Sequence, residues 1–305
     1  MSIITFELAT LQDAEELTAI MKKTFDEEAA KWLPNKDVVD YNIQPPGYSS
    51  LEVTKYMIEE LKYYKIMYRD EIIGGIIVTV SGQSYGRIDR VFVNPVYQGK
   101  GVGSKAIGFI EKEFPHVRAW DLETSSRQLN NHLFYEKMGY KTTFGTEDEF
   151  CYVKHIEKKA ENLLKDKDLS MIQYENCNLS STECYQVNLE GSAISNSNVS
   201  RLHVSNCNLS DSKFQNINYR NTLFADLNLS ESKMRFVTLG GVQFLDTTLG
   251  DGGNSVSFER CDLKGSNISN CDLRNVEIAE SDVTGMKINN IPVDKLLKAY
   301  DLVNK

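Results

Sequence analysis

At 305 residues the chain is long enough for two domain cores. Hydrophobic residues at 41% and charged residues at 25% exclude disorder and a coiled coil, and a net charge of -9 argues against a partner held by neutralising phosphates. A cationic or amine-bearing partner fits that charge better. No run of eighteen apolar residues occurs, and Met1-Ser2-Ile3-Ile4-Thr5-Phe6-Glu7 lacks the basic-then-apolar order of a secretory leader, so no membrane partner and a cytoplasmic location are expected.

In chain order, Ile4 to Leu8 reads as a strand, and Thr10 caps a helix running from Leu11 to about Trp32. Pro34 and Pro45-Pro46-Gly47 punctuate a loop, and a second helix is expected over about Ser50 to Tyr63. Strands follow at Lys65 to Tyr68, Glu71 to Val80 and Arg87 to Val93, the first two joined by a turn at Arg69-Asp70. A glycine-rich segment then opens a helix from about Gly99 to Phe114, with a further strand, helix and paired strands to Lys154. This order predicts a mixed α/β domain over residues 1 to 156.

From about Leu169 the pattern changes to a period of five, which neither a helix nor a simple strand explains. Stepping from Leu179 to Leu249, and again from Phe258 to Ile288, every fifth residue is apolar or aromatic. The residue before each centre is usually Asn or Asp, as at Asn178, Asn188, Asn208, Asp262 and Asp272, and a small residue often stands before that. This grammar resembles the pentapeptide-repeat family over about Ile172 to Asn290. The resemblance implies an all-β, right-handed quadrilateral β-helix, a solenoid over residues 170 to 290 with its centres pointing inward. Residues 157 to 169 would link and cap it, and a helix within 291 to 305 would cap the far end and could pair with a second copy. Cys177, Cys207, Cys261 and Cys271 fall on one inward register, so they are expected to be reduced core residues rather than disulfides or metal ligands; no metal is expected. The phase slips between Leu249 and Phe258, where Gly250 to Asn254 suggests a short protruding loop.

The chemistry is concentrated in the first half. Ile88 to Val93 is a β-branched strand, Asn94-Pro95 a turn, and Gln98-Gly99-Lys100-Gly101-Val102-Gly103-Ser104 a glycine loop that opens an apolar-periodic helix. Glycines let backbone N–H groups converge on a phosphate, and the helix N-terminus adds partial positive charge. The spacing fits neither a Walker loop nor the dinucleotide fingerprint. Strand, turn and loop together resemble the acetyl-CoA signature of the GNAT superfamily of N-acetyltransferases. Asn131-His132-Leu133-Phe134-Tyr135-Glu136-Lys137-Met138-Gly139-Tyr140 is similar to the segment that follows the fifth strand in that superfamily.

The resemblance implies the GNAT α/β fold, acetyl-CoA as co-substrate, and transfer of acetyl to a primary amine by direct attack. It places the coenzyme against Val91, Phe92, Val93, Gln98, Gly99, Lys100, Gly101, Val102, Gly103 and Ser104, with the oxyanion at a backbone N–H near Phe92 and Val93. Tyr135 would return a proton to the leaving thiolate. Gln128 stands where many members carry the asparagine that contacts the pantetheine arm, so Asn131 or Asn130 would substitute. Asp89 matches the position of a general base; as a residue it is equally an ion-pair partner of Arg87 or Arg90. Glu123 is the reserve base, His132 reads as a solvated helix residue, and Tyr41 and Tyr48 of the loop 34–49 are expected to line the acceptor site.

The rival reading makes the repeat half the functional part, a partner-docking or DNA-mimicking rod of the gyrase-protection type beside a degenerate transferase. Residues 171–290 hold 14 acidic and 9 basic residues, a net of -5 that is mild for phosphate mimicry. A protein partner or dimerisation is therefore the expectation for that half.

Overall fold

The structure is a computed structural model that describes residues 4–35, 37–82, 84–156, 163–247 and 255–303. It divides into two compact units, Met1–Asp246 and Thr247–Lys305, which are taken in turn.

In the first unit, β1 (Ile4–Leu8) leads through a 3-10 turn at Leu11–Asp13, where the Asp13 carboxylate accepts from the Thr10 N–H and hydroxyl, into α1 (Ala14–Trp32). The second helix, α2 (Leu51–Glu60), is capped by Ser50, whose hydroxyl accepts the Val53 N–H. It stops short of the expected Tyr63. Lys62 to Tyr64 instead begin β2 (Lys62–Tyr68), where Tyr63 and Tyr64 are buried and pair with Ile77 and Ile76 of β3 (Glu71–Ser81). The aromatic preference for a pleated, half-buried surface outweighs helix continuation here. The chain continues through β4 (Tyr85–Val93), α3 (Val102–Glu113), β5 (Ala119–Ser125), α4 (Leu129–Lys137), β6 (Lys141–Gly145) and β7 (Glu149–His155).

These strands form one seven-stranded sheet in the order β1-β2-β3-β4-β5-β7-β6. Every pairing is antiparallel except β4 with β5, which is parallel and limited to Tyr85–Arg87 against Ala119–Asp121. Beyond Arg87 and Asp121 the two strands have no mutual ladder, although β4 runs on to Val93 and β5 to Ser125. The sheet therefore opens at its centre.

Each face carries its own core. On one, Ile66, Ile76, Ile88, Val93, Trp120 and Leu122 pack with Val102, Ala106, Ile107 and Ile110 of α3 and Tyr135 of α4. On the other, Leu17, Ile20 and Met21 of α1 and Met57 of α2 cover Tyr63, Ile77 and Phe92. The strand β4 serves both faces through a bulge: Ile77 pairs with Arg90 and Val78 with Ile88, leaving Asp89 as the extra residue. Gly74 and Gly75 lie opposite Val93 and Phe92, and a Cβ on Gly74 would meet the Phe92 carbonyl oxygen at 2.3 Å. Only glycine permits that approach.

The repeats begin in this unit and keep their period in the backbone. Every tenth residue a turn closes, from the Thr182 N–H to the Leu179 carbonyl, Ser192 to Leu189, Leu202 to Val199 and onward. The preceding Asn side chain accepts the N–H two residues on, as in Asn178 with Ser180 and Asn208 with Ser210. Left-handed backbone recurs two residues after a centre, at Ser181, Gln186, Gly191, Asn196, Arg201 and Asn206 among others. The expected β-helix is not formed, however. No described residue from 163 to 286 lies in a strand, and apart from the half-buried Val283 the described centres stay exposed, for instance 42% at Tyr219 and 73% at Ile194. Asx turns and left-handed corners are satisfied within five residues, whereas burying the centres requires stacking across twenty. Only the local part of the code is expressed. The inward placement of the cysteines fails with it, since Cys177, Cys207, Cys261 and Cys271 are exposed and each thiol donates to the carbonyl two residues before it.

In the second unit the same turns continue from Phe258 to Gly285, followed by a two-residue hairpin, β8 (Lys287–Ile288) and β9 (Ile291–Pro292), and α5 (Val293–Val303). Leu297, Tyr300 and Val303 of α5 are exposed, so the helix exists as expected but does not bury a capping face. The phase slip at Gly250 to Asn254 and the linker residues 157–162 lie outside the described residues. No helix among the described residues is long and apolar enough to cross a membrane.

Candidate functional site

The opening between β4 and β5 gathers most of the residues singled out in the sequence. After Val93 a short turn at Pro95–Tyr97, capped by the Asn94 side chain on the Val96 N–H, delivers the chain to Gln98. The Gln98 amide donates to the Val93 carbonyl at 3.0 Å, tying the glycine loop back to the end of β4. Gly99 and Gly101 both adopt positive φ, +71° and +76°, and a Cβ on either would project into open space. Gly101 is the N-cap of α3, so the first N–H groups of that helix face outward without helical partners. Val102 turns inward to the core, while the Lys100 ammonium donates to the Val96 carbonyl and lies 5.4 Å from the Tyr97 ring. At Gly103 the space is tighter: a Cβ there would stand 3.3 Å from the Phe134 ring, which would have to shift by a few tenths of an ångström.

On the α3 side of the opening, Val91 is partly buried and Tyr135 is 6% exposed, packed against Phe134, Tyr140 and Tyr152. Burial pushes the Tyr135 phenol well above its ordinary range, so it stays protonated. Asn131 donates to Thr124 Oγ1 at 3.1 Å, and that hydroxyl in turn donates to Gln128. The Gln128 amide reaches Glu28 of α1 at 3.1 Å, which also accepts from Trp32. Gln128 is thus committed to joining α1 to α4. His132 corrects the expectation of a solvated residue. Its ring contacts the Tyr152 hydroxyl at 2.8 Å and the Ser125 carbonyl at 3.1 Å, clamping α4 to β5 and β7.

On the α1–α2 side, Arg87 forms the hub of three carboxylates. It binds Glu123 with two contacts of 2.7 and 3.3 Å, and lies 3.6 Å from both Asp89 and Asp121. Hydrogen bonding to Arg87 holds the Glu123 carboxyl below its usual range, so that group is ionised and occupied. Asp89 is different. Burial pushes it up to about 6, against the lowering effects of the Thr79 hydroxyl, which donates at 2.8 Å, and of Arg87. Asp89 therefore combines a partly shielded carboxylate with a proton affinity near neutrality. Thr79 was not legible in advance, because it is one more β-branched residue of a strand.

The loop from Leu33 to Ser50 closes over the end of β5. Asp40 is buried and accepts from Ser125 at 2.7 Å and Arg127 at 3.3 Å, and Asn42 donates to Glu149. Of the two loop tyrosines, Tyr48 donates to Asp26 of α1 at 2.6 Å and accepts from Gln44, and burial with that carboxylate raises it to about 12. Tyr41 is 68% exposed. The loop thus anchors one tyrosine and leaves the other to solvent.

A GNAT acetyltransferase domain model matches residues 59–142, a pentapeptide repeat region model matches 167–244, and a model of eight pentapeptide repeats matches 255–290. An uncharacterized protein of Bacillus subtilis strain 168, YrkN, is 29% identical over 79 residues, covering 25% of this chain and 43% of the relative. The matched segment thus spans less than half of that protein. Among solved structures, the PaiA N-acetyltransferase of Thermoplasma acidophilum in complex with coenzyme A aligns at 17% identity over 50% of this chain and 99% of its own, with a TM-score of 0.45. The ribosomal-protein-S18-alanine N-acetyltransferase of Escherichia coli aligns at 15% identity over 53% and 99%, with a TM-score of 0.41. The chain carries a GNAT acetyltransferase domain followed by pentapeptide repeat regions.

Proposed function

We propose that the first half transfers an acetyl group from acetyl-CoA to a primary amine by direct attack. The observation that carries this reading is the parting of β4 and β5 beyond Arg87 and Asp121, directly below the glycine loop at the start of α3. A pantetheine arm fits such an opening, because the unpaired strand edges offer backbone groups that need partners. The outward N–H groups at Gly101 to Ser104 would receive the pyrophosphate. Gln98, Gly99 and Lys100 shape the loop, and Val91, Phe92 and Val93 would line the thioester, with a backbone N–H there stabilising the oxyanion. Asn131 is held close to the opening by Thr124.

In this reading Asp89 accepts the ammonium proton of the acceptor, and the freed nitrogen attacks the thioester carbonyl carbon. The C–N bond forms, the nitrogen of the tetrahedral intermediate gives up its second proton to solvent, the oxyanion collapses, the C–S bond breaks, and Tyr135 gives its proton to the departing thiolate. Solvent then reprotonates Tyr135 and removes the proton from Asp89. Glu123 is the carboxylate that Arg87 holds most closely, and as that ionised partner it is not the base. Of the two loop tyrosines, Tyr41 is the one free to meet an acceptor, since Tyr48 is bonded to Asp26 and Gln44.

For the repeats we propose binding of a protein partner or of a second copy, supported by the exposed row of apolar centres. Light scattering of the full chain would test the second copy. The transferase reading is tested by titrating acetyl-CoA into the protein while following its melting temperature, which rises when a ligand binds the native state. No rise at millimolar coenzyme would end it.

A further inference from the structure

The repeats are not a detached appendage of the sheet. Tyr185 stacks on Tyr85 of β4 at 4.2 Å between centroids and 10° between planes, and its hydroxyl donates to Asp121 of β5 at 3.3 Å. Both contacts lie at the three-residue ladder where β4 and β5 meet, beside the Arg87 hub. Further along, a cavity of about 280 Å³ lies between sheet, helix and repeat, lined among others by Tyr56, Glu60, Val78, Thr79, His203 and Leu223. Its floor includes the threonine that hydrogen-bonds Asp89. Asp226 of the repeat acts electrostatically on Tyr56 and on Arg90, so the repeat also contributes charge at this face. Leu61, Val80 and Leu223 give the cavity apolar walls, and its charged lining residues are one carboxylate, Glu60, and one ammonium, Lys62.

We propose that the acceptor site is composite: the apolar body of a primary amine occupies this cavity against His203 and Leu223, and its nitrogen is presented past Thr79 to Asp89. The pentapeptide segment then sets acceptor specificity, with Tyr185 as the positioning residue that fixes the wall to the sheet. The inference rests on the reading of Asp89 as the base. Its ligand class follows from the apolar walls, which suit a hydrocarbon body, and from the Asp89 carboxylate behind Thr79, which suits an amine head; Glu60 and Lys62 offset each other in the lining. A free amine of this kind carries its charge at one end and needs the rest of its length desolvated, which a chain-built wall supplies and an open sheet face does not.

The test uses the full chain with linear alkylamines from butylamine to octylamine, read by release of the coenzyme thiol, with acetyl-CoA affinity measured separately by calorimetry. Leu223→Trp fills the cavity from an exposed position that tolerates a larger side chain. It should raise the KM for octylamine by about tenfold and leave butylamine nearly unchanged, a size discrimination typical of hydrophobic pockets. Acetyl-CoA affinity should stay as it was. Tyr185→Ala should weaken selection across the series by loosening the wall, while Tyr185→Phe, which retains the stack, should preserve most of it. Acetyl-CoA binding with KM values unchanged in Leu223→Trp and Tyr185→Ala, or with no alkylamine accepted by the wild-type chain, would overturn the composite site while leaving the transferase reading intact. Failure of the wild-type chain to bind acetyl-CoA would overturn both.

Discussion

Arg87 of β4 holds Glu123 of β5 in a two-contact ion pair, 2.7 Å at its shorter distance, at the point where the two strands stop pairing. The pair bridges the root of the opening, and it separates the two carboxylates that could serve as base. Glu123 is the one already neutralised. Glu123→Gln should therefore retain turnover within about threefold, since it removes a partly exposed ion pair rather than a proton acceptor. Steady-state kinetics at pH 8 check this, and a loss beyond a hundredfold would transfer the base role to Glu123.

The glycine loop makes a second demand. Gly101 caps α3 at φ +76°, in a conformation that costs an L-residue about 1 kcal/mol, and its Cα faces open space. Gly101→Asp places a carboxylate where the coenzyme phosphates would sit, and should weaken acetyl-CoA by a factor of at least about a hundred. Gly101→Asn tolerates the same backbone without the charge and should lose far less. Equal affinities in calorimetry for all three proteins would remove the phosphate seat from this loop.

Tyr135 offers a cleaner separation of binding from chemistry. Its phenol is buried without a charged neighbour, so desolvation alone holds its proton. Tyr135→Phe should lower kcat roughly ten- to a thousandfold, as for loss of a general acid, with acetyl-CoA affinity unchanged. A matched fall in coenzyme affinity would show that the side chain serves packing among Phe134, Tyr140 and Tyr152.

How far the sequence foretells this structure depends on whether a feature is local. The glycine loop, the Asn94-Pro95 turn and the apolar phase of α3 are each written within a few residues, and all appear where expected. Arg87 and Asp89 were visible as a charged pair, but the order of partners was not. Glu123 wins Arg87 through the parallel register of β4 and β5, a relation between segments more than thirty residues apart. His132 looked solvated because nothing nearby announces Tyr152 as its partner. The repeat shows the same division, since its Asx turns and left-handed corners follow the five-residue code while stacking of its centres does not. Tyr185 sits in an ordinary repeat position, and only the fold brings it onto Tyr85.

Removing Arg87 should act on Asp89 at a distance. The guanidinium favours the ionised form of that carboxylate, so Arg87→Met should raise the Asp89 pKa above its value of about 6. In a plot of log kcat/KM against pH, the acid limb should then move to higher pH. A limb that stays in place would show that the rate does not report Asp89.

Asp89 itself ties activity and stability to one ionisation. Its carboxyl is raised from 3.8 to about 6 in the folded chain, chiefly by burial, so the native state binds its proton more tightly than the unfolded state does. Below about pH 4 both states are protonated and the group has no effect. Between about pH 4 and 6 the unfolded chain ionises first, so stability falls as pH rises, and above about 6 the full penalty remains. Catalysis runs the other way, because only the ionised carboxylate can accept the amine proton. The rate should rise through about pH 6 and level off beyond it. Asp89→Asn separates the two effects: it should abolish the acid limb with a loss in kcat/KM of at least about a hundredfold, and raise the melting temperature at pH 8 relative to pH 4 when each is referred to the wild-type chain. A variant that kept wild-type activity at pH 8, or one that was less stable than wild type at pH 8 by the same margin as at pH 4, would show that Asp89 is only a partner of Thr79 and Arg87.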